Sequence, residues 1–182
     1  MFMSEAYGNV QAVLMVFLLV QYALMAYAAW HDARTRTYPN VLATVFVVVC
    51  VVVAFAQGGL TDLSVSDGTG GLQEGGFLVA LGVRALVRNL IAANIVFAAL
   101  YVFELLWRRF RKTFGLGMGD LKFLFALMIS EPVKALLSFT LGLVALAITG
   151  VVTRKQSLPL LPFVVGAYFA ILLLSLVIPM SM

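Results

Sequence analysis

Asn40-Val41-Leu42-Ala43-Thr44-Val45-Phe46-Val47-Val48-Val49-Cys50-Val51-Val52-Val53-Ala54-Phe55-Ala56-Gln57 is a run without one charged side chain. A bilayer core about 30 Å thick takes roughly 20 residues of helix, and this run comes close to that length. Comparable runs lie at 10–30, 89–107, 133–152 and 158–180, with a shorter one at 120–130. The chain as a whole fits that reading: of 182 residues, 63% are hydrophobic and 11% charged, with a mean hydropathy of +1.08. A soluble domain cannot hide so much apolar surface. The expected fold is therefore all-α and polytopic, one membrane-embedded domain over 1–182 with six transmembrane helices. Phe77 to Arg88 is apolar but carries Arg84 and Arg88. An isolated arginine at mid-bilayer costs at least ~2.5 kcal/mol, so this stretch is expected as an interfacial helix before the third span.

Charge is informative by place rather than by total. Arg34 and Arg36 lie in 31–39, Arg108, Arg109, Arg111 and Lys112 in 108–119, and Arg154 and Lys155 in 153–157. With six spans these are the first, third and fifth loops, all on one side, which the positive-inside rule makes cytoplasmic, with both termini outside. The intervening stretch 58–76 is Gly-rich and acidic (Asp62, Asp67, Glu74), as an outside loop should be. The basic residues thus set topology and do not point to nucleic acid. Met1-Phe2-Met3-Ser4-Glu5 lacks a basic n-region and a small-residue cleavage site, so the first apolar run is expected to stay. The single cysteine, Cys50, and the single histidine, His31, allow neither an internal disulfide nor a Cys/His zinc cage. No metal or other cofactor is expected. Cys50, mid-run, reads as packing or lipid-facing, with nothing nearby to activate it.

Two aspartates stand out. Asp32 ends the first apolar run and Asp120 opens the fourth, inside Gly117-Met118-Gly119-Asp120. Both fall on the basic side. Charged side chains at a membrane boundary carry a functional reading by default, and two carboxylates meeting at one boundary suit acid–base chemistry. One, ionised, takes a proton from water; the other, protonated, hydrogen-bonds a carbonyl and later feeds a leaving amine. Held close, the two share a proton and titrate as a unit. Helix ends suggest an asymmetry: Asp120 at a helix N-terminus is favoured as the anion and base, and Asp32 at a C-terminus as the acid, with Arg34 and Arg36 opposing. Gly115, Gly117 and Gly119 leave a strip of backbone without side chains, beside which an unwound substrate could lie.

Three motifs carry a family resemblance. Asp32-Ala33-Arg34-Thr35-Arg36-Thr37-Tyr38-Pro39-Asn40 resembles the first-loop signature of the type IV prepilin peptidases, an aspartate followed by basic residues and Pro-Asn. Gly117-Met118-Gly119-Asp120-Leu121-Lys122 is similar to their GxGDxK motif, and Leu158-Pro159-Leu160-Leu161-Pro162-Phe163, then Gly166, to their last-span motif. The resemblance spans nearly the whole chain. It implies that Asp32 and Asp120 are the catalytic pair, with Gly117, Gly119, Lys122, Arg34, Arg36, Pro39, Asn40, Pro159 and Pro162 supporting them. It also implies a substrate class: pilin-like or flagellin-like precursors that lose a short basic leader at the cytoplasmic face of a prokaryotic inner membrane. The basic loops do not attract a basic leader, so recognition is expected to rest on the apolar helix and local acids. The chain departs from bifunctional members in lacking paired CxxC motifs and the segment that carries them, so no methyltransferase activity or zinc-binding domain is expected. It resembles the compact peptidases of tight-adherence pili and the archaeal preflagellin peptidases. Tyr38 stands where the family usually has Ile or Leu.

Other residues have plainer expectations. Lys122 snorkels to the interface, Pro39 and Asn40 start the second span, and Glu104 pairs with Arg108 four residues on. His31 points away from Asp32, and Asn94 is expected as helix–helix glue. Pro159 and Pro162 kink the start of the last span. Three alternatives remain, the weakest a purely structural membrane subunit. Presenilin-like GxGD proteases pair the motif with Tyr-Asp and Pro-Ala-Leu, whereas here His31 precedes Asp32 and Leu160-Leu161 follow Pro159. A small ion-coupled transporter would use the carboxylates as relays, although relay acids tend to lie deeper in the membrane.

Overall fold

The computed structural model describes residues 2–61, 74–111, 117–153 and 158–177, excepting the side chains of 2–10, 59–61, 74–81 and 111. These form six helices: α1 Phe2–Thr35, α2 Asn40–Thr61, α3 Glu74–Arg111, α4 Met118–Ser130, α5 Pro132–Thr153 and α6 Leu161–Val177. α1, α2, α3 and α5 are each long and apolar enough to cross a membrane. α4 has 13 residues, shorter than a full crossing, and α6 has 17 described residues, at the low end of a crossing.

The bundle is organised around its shortest helix. α4 buries Leu121, Phe123, Leu124, Ala126, Leu127, Met128, Ile129 and Ser130, and α2, α3 and α5 pack against it. The long helices are inverted in pattern: each buries a narrow strip and turns large apolar side chains outward, as at Leu19, Val41, Ile95 and Ile148. Apolar surface on that scale is stable only against hydrocarbon, and the chain is a helical membrane protein. α4 is short because of Pro132. A residue before proline is pushed out of the helical region, and Glu131 sits at φ −141° and ψ 81°. Its carbonyl accepts from Ala135 N–H at 2.9 Å, so Glu131 ends α4 and starts α5, with Pro132 at the position where its missing N–H costs nothing.

Phe77 to Arg88, expected as a separate interfacial helix, is instead continuous with α3, which runs unbroken from Glu74 to Arg111. The reason is close packing on α2. A side chain at Gly82 would come within 2.8 Å of the Phe55 carbonyl, and one at Gly58 within 2.5 Å of the Ala85 Cβ. Small residues let the two backbones approach in register, holding this stretch in line while Arg84 and Arg88 stay exposed. Most of the expected acidic loop, 62–73, lies outside the described residues.

Polar side chains inside the bundle tie α4 to its neighbours. Gln21 on α1 donates to the Ser130 hydroxyl at 3.1 Å, and Asn89 on α3 donates to the Ile129 carbonyl at 3.0 Å. Asn94, expected to join helices, donates to Leu90 O of its own helix at 2.8 Å and is exposed. Replacing Gly82 by Ala is expected to lower stability in detergent by about 1–3 kcal/mol through overpacking. Gly150→Ala, at a helical site with open space around it, should leave the thermal midpoint unchanged or slightly raised.

Candidate active site

α1 ends in a specific turn. Arg36 N–H donates to Asp32 O at 2.8 Å, and Arg36 takes a left-handed conformation at φ 54°. The His31 ring closes the turn, its Nδ1 lying 2.9 Å from the Thr37 carbonyl and 3.0 Å from the Thr35 hydroxyl. His31, set aside in the sequence because it points away from Asp32, thus caps the helix that carries Asp32. The chain then runs through Tyr38 and Pro39 into α2, where the Pro39 carbonyl accepts the first helical bond, from Ala43 N–H at 3.1 Å.

The two aspartates, 88 positions apart in the chain, face one cavity of about 150 Å³, lined also by Arg36, Leu158, Pro159 and Leu160. Asp32 is buried, at 8% exposure, and its Oδ2 has no hydrogen-bond partner among the described residues. Each carboxylate meets the N-terminus of a helix. Asp120 is the third residue of α4 and turns back to the backbone of Gly117, the N-cap, in the manner of a capping box. The Asp32 carboxylate faces the backbone of Leu161, the first residue of α6, whose N–H favours its charged form. Both aspartates therefore face unpaired helix N–H groups, so the dipole asymmetry expected from the sequence does not separate them.

The glycines have closer neighbours than a free strip would. A Cβ on Gly117 would lie 2.8 Å from Asp120 Oδ2, and one on Gly119 would lie 2.8 Å from Tyr38 Cβ. Gly117 makes room for the carboxylate, and Gly119 for the α1–α2 turn, which Tyr38 seals against α4. The Tyr38 ring stands edge-on to Phe123 at 6.1 Å, and Phe123 stacks on Phe46 at 5.0 Å. Burial raises the Tyr38 phenol well above its ordinary range, so it stays a neutral donor, and its hydroxyl lacks a partner among the described residues. Gly115 lies outside the described residues.

The supporting residues divide. Arg36 and Pro159 line the aspartate cavity. Lys122 does not: its Nζ donates to Asn40 Oδ1 at 2.8 Å, linking α4 to the first residue of α2. That contact sits in a second, larger cavity of about 490 Å³ between α2, α3 and α4, lined by Ala43, Thr44, Val47, Asn94, Phe97 and Phe125 among others. Arg34 is exposed and lies 5.3 Å over the Trp30 ring. Pro162 is in the first turn of α6, whose N-cap carbonyl, Leu160 O, accepts from Phe163 and Val164. Gly166 has open space around it. Glu104 is buried and paired with Arg108 at 2.7 Å, as its spacing suggested. Cys50 is fully buried. Among the described residues no group of three or more His, Cys, Asp or Glu is placed to hold a metal ion.

Compared with known proteins, the chain matches no protein-family description, no curated protein and no solved structure.

The Tyr38–Gly119 contact makes a sharp test. Gly119→Ala should destabilise the protein by about 1–3 kcal/mol, and Tyr38→Gly, which removes the opposing Cβ, should relieve much of that loss. Thermal unfolding of the two single variants and the double variant reads the coupling, which additive effects would exclude.

Proposed function

We propose that this protein is a membrane aspartic endopeptidase of the prepilin-peptidase kind, removing a short basic leader from pilin-like or flagellin-like precursors. The observation that carries the reading is the convergence of Asp32 and Asp120 on one small cavity. The motif resemblance of the three segments around it supplies the substrate class.

In this reading a water molecule lies between the carboxylates. The ionised one takes its proton as the oxygen attacks the scissile carbonyl. The protonated one hydrogen-bonds the carbonyl oxygen, and a proton then passes to the leaving amine. Asp32 Oδ2 is buried and without a partner among the described residues, a setting that favours a proton on this carboxyl. Two carboxylates in one cavity resist double ionisation, so one shared proton is the resting condition. Arg36, on the cavity wall, balances the remaining charge. The substrate backbone reaches the pair in extended form, because a helical amide has its carbonyl engaged.

The same reading takes α4 and α6 as the fourth and sixth spans of a six-span protein. The basic loops and both aspartates then face the cytoplasm of a prokaryotic cell, and both termini face out.

The test is cleavage of a co-expressed precursor from the same genome, followed by its shortening on a gel. Wild type should process it, while Asp32→Asn and Asp120→Asn, present in the membrane at wild-type levels, should each lose all detectable processing. Processing that persists in either variant would reduce that aspartate to a helix cap.

A further inference from the structure

We propose that the bilayer is pinched around α4, so that the aspartate cavity lies at the foot of a lipid-walled step formed by the ends of α3 and α5. The inference rests on the membrane character of the chain and is independent of the peptidase reading.

The first observation is the spacing of charges along α4. Asp120 near its start and Glu131 just past its end are eleven residues apart. That is roughly 16 Å at 1.5 Å per residue, about half a bilayer core. Glu131 pairs with Lys134 at 2.8 Å and accepts from the Tyr168 hydroxyl. The Lys134 side chain is still 34% exposed, so its ammonium needs water or headgroups rather than hydrocarbon. Ionisable groups therefore mark both ends of a helix too short to reach from surface to surface.

The second observation is how far the neighbours overshoot. α3 and α4 are antiparallel, with Asn89 bonded to Ile129 and Phe97 against Phe125 at 5.6 Å. Phe110 lies thirteen residues beyond Phe97, and Phe125 five beyond Asp120, so α3 passes the level of Asp120 by roughly 12 Å. α5 does the same against α6. Gly142 abuts Val164, and from that contact Val151 lies roughly 9 Å beyond Leu161, next to the cavity-lining Leu160.

The third observation identifies what covers these ends. On α3, Val102, Phe103, Leu105, Leu106, Trp107 and Phe110 are all exposed. At 100° per residue they sweep roughly 200°, somewhat over half of the circumference. The strip with Leu100, Glu104 and Arg108 is the less exposed side of this end of the helix. On α5, Ile148, Val151 and Val152 are 61%, 79% and 76% exposed. A helix end projecting into water carries a polar face; apolar surface over more than half of the α3 circumference, continued by the apolar outer face of α5, fits lipid. Arg109 on α3 is exposed beside Phe110, and a long arginine side chain reaches an interface by snorkelling while the helix around it stays in hydrocarbon. Arg109 stands beyond the level of Asp120, not level with it. The turn 36–39 carries no such cover, and Thr37 is exposed at the foot of the step.

The experiment places single cysteines at Thr37, Phe110 and Val151 in a Cys50→Ala background, in the full chain reconstituted in phospholipid vesicles. A charged maleimide is supplied to both sides, and bimane-labelled samples are read for quenching by lipids brominated along the acyl chain. Thr37→Cys should react quickly and escape acyl-chain quenching. Phe110→Cys and Val151→Cys should react at least about tenfold more slowly, because a thiol in hydrocarbon stays protonated and out of reach, and their labels should be quenched. Fast reaction at Phe110 and Val151 would put the ends of α3 and α5 in water and overturn the step. Slow reaction without quenching would mean that protein, such as a second copy, covers them, and would overturn it equally.

Discussion

Two carboxylates, one buried and one half-buried, each set against the start of a helix, hold together the end of the bundle where their cavity lies. Asp120 turns back to Gly117 at the start of α4, and Asp32, carried by α1, meets Leu161 at the start of α6. A helix N-terminus leaves N–H groups without intrahelical partners, and a buried one must find acceptors. Here the acceptors come from the pair that the proposed chemistry needs. The same contacts that satisfy backbone donors also bring together carboxyl groups that would repel each other if both were charged. On the proposed reading, structure and reactivity depend on one arrangement, in which aspartates that cap helices are also the working groups.

The rest of the fold serves to fix α4. Its apolar faces are filled by neighbouring helices, and its last turn is held by Gln21 through Ser130 and by Asn89 through Ile129. At its first turn, Lys122 reaches the start of α2 and Tyr38 lies against Gly119. Buried polar contacts of this kind add little net stability in a membrane, but they are specific in geometry. A slip of one residue along α4 would break them all and move Asp120 by 1.5 Å, the rise per residue. The outer helices, whose lipid-facing surfaces demand only apolarity, are free of such constraints.

Several residues were read correctly for elementary reasons and others were not. Glu104 and Arg108 pair because they are four apart on one helix, whereas the apolar run around Cys50 left core and lipid open, and the packing of α2 decided for the core. Asn94 looked like the polar group joining helices, yet Asn89, five residues earlier, does that work. Both lie on the same apolar helix, and only the position of α4 distinguishes them. His31 was set aside since adjacent side chains on a helix diverge, but its target was the carbonyl of Thr37 in the following turn. Tyr38 looked like a mild departure from a motif; its partner proved to be the missing side chain of Gly119. The boundary expected near Arg88 failed because charge cost was weighed without the close packing of Gly58 and Gly82 on the opposite helix.

By itself the sequence determined that this is a helical membrane protein, where its apolar segments lie, and that Asp32 and Asp120 are the residues to watch. Those properties are local sums: hydropathy over a window, breaks at proline and glycine, and rare charges at segment ends. Only the tertiary structure decided that residues 88 positions apart share a cavity, that Lys122 turns to Asn40 and away from the aspartates, and that α3 and α5 continue past the level of the site. These depend on how helices are rotated and staggered against one another. An apolar helix in lipid carries almost no record of either, because every face of it is acceptable to the solvent around it.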